Sequence, residues 1–297
     1  MLGRLALAAV LMAACTLAAA SASECRFDPP APYPPLAVPK GVRVGLALGS
    51  GSMHGYAHIG VLQELEARRL PVPVVAGTSV GALVGSLWAS GLSAREIEGL
   101  ALSERLDLAS ASGSWQGIYS NDPMQAPLEK AFKGRPIETW TRRFGAVATE
   151  ISRGERRLIA SGDAISAVRA SSAVPVLFVP VSISGERLVD GALVEPVPVE
   201  AARDLGANFV IAVDVAYRPH EEPASGLTAY AFQAMHILVN ALAASQVRTA
   251  DVAIRLNLHK RWLDCGKEGL IAAGREAVDA AWPELQRALL ARSAARP

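Results

Sequence analysis

From Arg43 onward, short apolar runs alternate with longer stretches in which apolar residues return every three or four positions, and glycines sit at many of the junctions. RVGLALG, from Arg43 to Gly49, is apolar with β-branched residues and predicts a strand; HGYAHIGVLQELEARRL then sets Ile59, Leu62, Leu65 and Leu70 at helical spacing. The theme repeats at once. PVPVVAG reads as a short buried strand, GTSVG as a tight turn, and Val80 to Ser90 as a helix of small residues stopped by Gly91. Two strand-loop-helix units in succession predict a parallel sheet covered by helices.

The middle of the chain is patterned less sharply. Ala94 to Leu106 and Pro123 to Phe132 read as helices, and FGAVATEI and ERRLIAS as strands separated by Ser152, Arg153 and Gly154. Ala164 to Ser172 is a short helix stopped by Pro175, PVSISGERLVDGA two short strands around Gly185, and AARDLGANFVIAVDV a helix end followed by a buried strand. An apolar helix from Tyr230 to Val247, an alternating strand DVAIRLNL and a helix from Leu270 to Leu290 complete the pattern.

The first residues follow a different rule. Arg4 precedes an apolar run, Leu5 to Ala14, that is too short to span a bilayer, so residues 1–22 read as a signal peptide and the protein as exported. Met12-Ala13-Ala14-Cys15 resembles a lipoprotein box, with cleavage before Cys15 and a lipid anchor to the membrane surface of the cell envelope. Ala18-Ala19-Ala20 and Ala20-Ser21-Ala22 suit ordinary secretory cleavage instead, giving a periplasmic or secreted protein. Six prolines between Cys25 and Pro39 favour an extended chain, which makes residues 23–41 a tether and residues 42–297 the folded domain. With three cysteines, lipidation of Cys15 leaves Cys25 and Cys265 as a candidate disulfide pair in an oxidising compartment.

Composition narrows the function. Hydrophobic residues make up 51% of the 297 and charged residues 19%, enough for one substantial core of α/β size. The 29 basic and 28 acidic side chains nearly cancel, and no interleaved basic and aromatic patch exists, which argues against a nucleic-acid partner. No CxxC spacing occurs and the five histidines are scattered, so neither a metal nor a cofactor is expected.

Three segments carry chemistry. In GTSVG, Gly77 to Gly81, a serine falls between a predicted strand and helix, the context of a nucleophile elbow; it reads either as that or as an ordinary helix-capping Ser79. Gly77 and Gly81 lack the side chains that would collide across so sharp a turn. GSGSMHG, Gly49 to Gly55, offers backbone amides to an anion, either a phosphate or the oxyanion of a tetrahedral intermediate. Nucleotide binding fits poorly, because Tyr56 and Ala57 replace the Lys-Ser/Thr of a P-loop and Gly77 stands where a dinucleotide fold wants an acid. Asp190, in VDGA, is either a turn residue beside Gly191 or a general base.

Taken together these segments resemble the patatin-like phospholipases, in particular the bacterial branch similar to the catalytic domain of neuropathy target esterase. The resemblance runs from Val42 to about Leu290 through four ordered blocks: LALGSGSMHGYAHIGVLQEL, GTSVGALVGSLWASG, RASSAVPVLFVPV and LVDGALVEPVPV. It implies a three-layer α/β/α fold with a largely parallel central sheet. It also implies a dyad without histidine, with Ser79 as nucleophile, Asp190 as general base and the amides of Gly51 and Ser52 as the oxyanion hole, acting on lipid or acyl-ester substrates through an acyl-enzyme. A catalytically silent lipid- or protein-binding scaffold and an acyltransferase are the alternatives.

The chain departs from the family pattern in one place. Where the family reads Gly-Gly-Gly-x-Arg-Gly, this chain has Ser50-Gly51-Ser52-Met53-His54-Gly55. A positive φ at Ser52 would therefore be strained, and His54 makes the positive charge there titratable. A Ser-Asp-His order also exists through His259, although the elbow comes too early in the chain for α/β-hydrolase connectivity. The apolar helix carrying Phe232, Met235, Ile237 and Leu238 reads either as packing on the sheet or as lining an acyl-chain groove.

Overall fold

The computed structural model describes Tyr33 and residues 36–103, 110–114, 116–216, 226–256 and 258–294. The expected signal peptide, with Cys15, and Cys25 lie outside these residues. Cys265 is disulfide-bonded.

The two strand-loop-helix units form as expected: β1 (Val44–Leu48) and α1 (Tyr56–Ala67), then β2 (Val74–Thr78) and α2 (Val80–Ala89). After α3 (Ala94–Leu102) come β3 (Ser110–Ser114), β4 (Gly117–Ser120), α4 (Gln125–Phe132), β5 (Arg143–Glu150), β6 (Glu155–Ile159) and α5 (Ala164–Ser171). The last third contains β7 (Val181–Ile183), β8 (Glu186–Asp190), α6 (Val199–Asp204), β9 (Phe209–Asp214), α7 (Leu227–Val247), β10 (Val252–Arg255) and α8 (His259–Ala294), which is broken at Gly266.

The differences from expectation have local causes. α3 stops at Leu102 rather than Leu106 because Ser103 turns to extended backbone. The strand expected through Leu258 ends at Arg255, and α8 begins at His259, well before Leu270, as a short helical segment ahead of the break at Gly266 and a longer one beyond it. The β3–β4 hairpin was not foreseen, since the sequence SASGS of β3 carries no apolar alternation.

The main sheet runs β10-β9-β1-β2-β5-β8-β7, with β6 also on β5. The first five of these strands are parallel in every pairing. β1 explains the layering: Val44, Leu46 and Leu48 face one core with α1, α2, α3, α4 and α8, while Ala47 faces a second, smaller-residue core under α6 and the end of α7. The fold is therefore the expected three-layer α/β/α sandwich with a largely parallel sheet.

One strand organises the site. Ala146 of β5 pairs with Gly77 of β2 and with Ile159 of β6, and Ala148 pairs with Asp190 of β8 and with Arg157 of β6. β6 occupies one edge from Ala146 to Glu150, and β2 and β8 share the other edge end to end. Thr78 lies opposite Val147 and Asp190 opposite Ala148. Residue 79 and residue 190, 111 apart in sequence, are thus delivered to adjacent positions.

Candidate active site

Ser79 is the turn between β2 and α2. Its backbone is forced to φ 56 and ψ −125, a conformation that costs an L-residue about 1–3 kcal/mol and that aims the side chain out of the sheet. The turn closes only because its flanks are glycines. A Cβ on Gly77 would sit 2.5 Å from the Gly81 carbonyl oxygen, and one on Gly81 would sit 2.1 Å from that of Leu48. The Ser79 carbonyl starts α2, accepting from the amides of Ala82 and Leu83.

The Ser79 hydroxyl donates to Asp190 Oδ2 at 2.6 Å, and both residues are buried, at 8% and 3% exposure. The other carboxylate oxygen, Oδ1, accepts from the Ala192 amide at 2.8 Å. The backbone of Asp190 is pinned as well: its amide donates to the Ala173 carbonyl at 2.9 Å, and its carbonyl accepts from the Thr149 hydroxyl at 2.8 Å. Burial pushes the Asp190 carboxyl up to about 6, against the partial opposition of the Ser79 hydroxyl and the Ala192 amide. The rise makes Asp190 a stronger base than an exposed aspartate.

Sequence reasoning missed Ser171. The Ser79 amide donates to Ser171 Oγ at 3.0 Å, and that hydroxyl donates to the Val147 carbonyl at 2.6 Å, tying the elbow to β5 through the last residue of α5. The only signal was its place in the block RASSAVPVLFVPV. His58 was missed likewise. Fully buried on α1, it reaches the Gly49 carbonyl through Nε2 at 2.8 Å, and burial pushes its pKa down to about 4, so the ring is neutral and Nε2–H is the donor. Its Nδ1 has no partner among the described residues.

The glycine-rich loop leaves β1 and enters a short 3₁₀ turn, Ser52–Gly55, before α1. Gly49 and Ser50 are anchored by amide bonds to the carbonyls of Val213 and Pro196. The amides of Gly51 and Ser52 stand at the start of the turn, where no intrahelical acceptor exists. Ser52 does adopt positive φ, 49°, the strained conformation that the departure from glycine made a concern. His54 is buried, with Nδ1 3.2 Å from the Val215 carbonyl. Gly55 packs on Val80 of the elbow, and Gly191 on the Val147 carbonyl.

Ser79, Asp190, Gly51 and Ser52 open into one cavity of about 540 Å³. The wall is mostly apolar, with Ile59, Leu83, Val174, Leu177, Phe178 and Val239 among its members. α7 lines the cavity with Phe232 and Met235, and also with His236, while its end packs on the sheet through Ala243 and Val247, so each of the two readings of that helix holds for part of it; Ile237 and Leu238 do not line the cavity and are 52% and 70% exposed. The alternative base His259 opens α8, whereas the acceptor that Ser79 meets is Asp190. No group of three or more His, Cys, Asp and Glu that could hold a metal occurs among the described residues.

A three-layer α/β sandwich with a strained serine elbow against a buried aspartate and a glycine-rich loop from the first strand defines a recognisable class. The family model for patatin-like phospholipases matches residues 46–203, more than half of the chain, and the chain belongs to that family. It is 34% identical over 184 residues to an uncharacterized NTE family protein of Mycobacterium bovis, covering 58% of this chain and 49% of the relative. It is also 34% identical over 185 residues to lysophospholipase NTE1 of Coccidioides immitis, covering 59% of this chain and 12% of the relative. The matched segment thus spans half or less of these curated relatives. Among solved structures, VipD from Legionella pneumophila aligns with a TM-score of 0.49 at 16% identity, covering 82% of this chain and 67% of that one.

Proposed function

We propose that this chain is a lipid acyl hydrolase working through a Ser79–Asp190 dyad and an acyl-enzyme. The observation that carries the reading is the 2.6 Å hydrogen bond from the Ser79 hydroxyl to Asp190 at the floor of an apolar cavity. Ser79 Oγ bonds to the ester carbonyl carbon as its proton passes to Asp190 Oδ2, and the amides of Gly51 and Ser52 hold the resulting oxyanion. Collapse breaks the bond to the leaving alkoxide, which takes the proton from Asp190. Water then repeats the sequence, with Asp190 as base, and releases the fatty acid and free Ser79.

Magnitudes support this division of labour. A carboxylate at about 6 is still a modest base, so the oxyanion donors must supply a large share of the acceleration, on the order of 3 kcal/mol each. The apolar wall favours the acyl chain of a phospholipid, lysophospholipid or neutral ester over a polar acyl group. The exported, Cys15-anchored form is part of the same proposal and predicts labelled fatty acid on the wild-type chain that is lost in Cys15→Ser.

The test is release of free fatty acid from phosphatidylcholine, lysophosphatidylcholine and a neutral acylglycerol. Wild-type protein should release it from at least one of them, and Ser79→Ala should lower turnover by about 10⁴ or more while keeping its far-ultraviolet spectrum. Transfer of the acyl group to an added alcohol in place of release would make the protein an acyltransferase. Equal behaviour of wild type and Ser79→Ala would leave only a binding scaffold.

A further inference from the structure

A second cavity, of about 50 Å³, lies in the larger core between α1, α2, α3 and α4. All ten described residues around it are apolar, so it offers water no hydrogen-bond partner, whereas hydrocarbon entering it gains contacts. Its size suits a few methylene groups and nothing larger.

This space abuts the cavity that holds Ser79. The two share five lining residues, Ile59, Leu83, Val84, Ala101 and Met124. α2 gives the direction from one to the other. Val80, Leu83, Val84 and Leu87 recur at i, i+3, i+4 and i+7 on one face of that helix. Val80 lines the first cavity alone, Leu83 and Val84 line both, and Leu87 lines the second alone. The helix starts at Ser79, and Leu87 lies about 12 Å further along its axis. A chain that begins at Ser79 and follows this face therefore passes from the first space into the second.

We propose, on the hydrolase reading that puts the acyl carbonyl at Ser79, that the second cavity takes the far end of the substrate's acyl chain and that Leu87 sets the length of chain the enzyme accepts. Met124 is the shared residue best suited to yield to the chain: it is buried, at 4% exposure, and its unbranched thioether side chain repacks where the β-branched Ile59 and Val84 are stiff. A short acyl chain stops beside Val80 and leaves the second space empty. A longer one fills it, and a longer one still meets the buried side chains of Leu87, Ile97 and Leu128. Affinity should rise by about fourfold with each methylene until that wall is reached, and then level off.

The test is calorimetric binding of straight-chain methyl ketones, with tails from hexyl to tetradecyl, to the full chain carrying Ser79→Ala. A ketone presents a carbonyl to the oxyanion amides without setting a second carboxylate beside Asp190, and binding is read without turnover. The affinity should climb with tail length and break at one tail. Adding Leu87→Phe should cut the affinity for the ketone at that break, relative to the hexyl ketone, about tenfold, and adding Leu87→Ala should move the break to a longer tail. Ala101→Leu, at a half-buried position that lines both cavities, should act in the same direction as Leu87→Phe and serves where the core substitution does not fold.

An affinity that climbs through the tetradecyl ketone without a break, or a break at the same tail length in every folded variant, would overturn the proposal. The two readings fail separately. If the protein releases no fatty acid, the break in the Ser79→Ala chain still appears; if the break is absent, release of fatty acid from lipid continues.

Discussion

Two buried carboxylates in this protein have opposite surroundings. Glu64, on the seam between α1 and α8, is 2% exposed and accepts from Arg68 Nε at 3.2 Å. Arg68 is itself stacked between the rings of Tyr33 at 3.7 Å and Trp282 at 4.3 Å, and it also pairs with Asp279. Asp190 is 3% exposed, and among the described residues its carboxylate is met by a hydroxyl and an amide and by no cation. The first carboxylate is neutralised by a fixed charge that never leaves; the second is given a proton that it can take. Burial raises both carboxyls above their ordinary values, but at Glu64 the Arg68 guanidinium opposes the rise, whereas at Asp190 it is opposed by the Ser79 hydroxyl and the Ala192 amide.

The contrast can be broken at either end. Arg68→Met strands Glu64 without its cation and should cost about 3–5 kcal/mol in urea unfolding, while kcat per folded molecule stays unchanged; adding Glu64→Gln should recover most of the loss. Asp190→Asn should do the reverse. Between the ordinary carboxylate value and about 6, the folded protein holds a proton that the unfolded chain has released, so native stability falls as pH rises through that window. The asparagine variant should therefore be about 3 kcal/mol more stable than wild type at pH 7, with the gap closing near pH 4, and be inactive. Wild-type activity, which needs the ionised base, should rise with pH through the same range.

Two smaller changes sharpen the picture of the elbow. Ser171→Ala leaves the Ser79 amide without its acceptor and should lower kcat about tenfold with little change in KM, because it shifts the nucleophile rather than the cavity. Ser52→Gly relieves positive φ in the glycine-rich loop but frees the unfolded chain, so its net effect on stability should stay within about 1 kcal/mol in thermal unfolding.

Much of this is legible in the amino-acid sequence. The alternation of apolar runs with helical spacing located both strand-loop-helix units, and the glycines around Ser79 announced a turn that only side-chain-free flanks permit. The four ordered blocks brought Ser79 and Asp190 into one hypothesis. What the sequence does not encode locally is the pairing of β2 and β8 along one edge of β5, which makes the two residues neighbours. Ser171 and His58 were silent for the same reason: each acts through a bond to a backbone group far along the chain, and neither has a distinguishing local pattern. The β3–β4 hairpin escaped notice because β3 is polar and exposed and β4 is held by backbone bonds to Val176, Leu177 and Val179.

The most direct measurement is reaction with a fluorophosphonate probe at pH 7, with the modified peptide identified by mass spectrometry. The account predicts labelling of wild-type protein at Ser79 alone, none in Ser79→Ala, and a rate lower by about 10³ in Asp190→Asn. Unlabelled wild-type protein, or an Asp190→Asn variant that labels as fast as wild type, would contradict it.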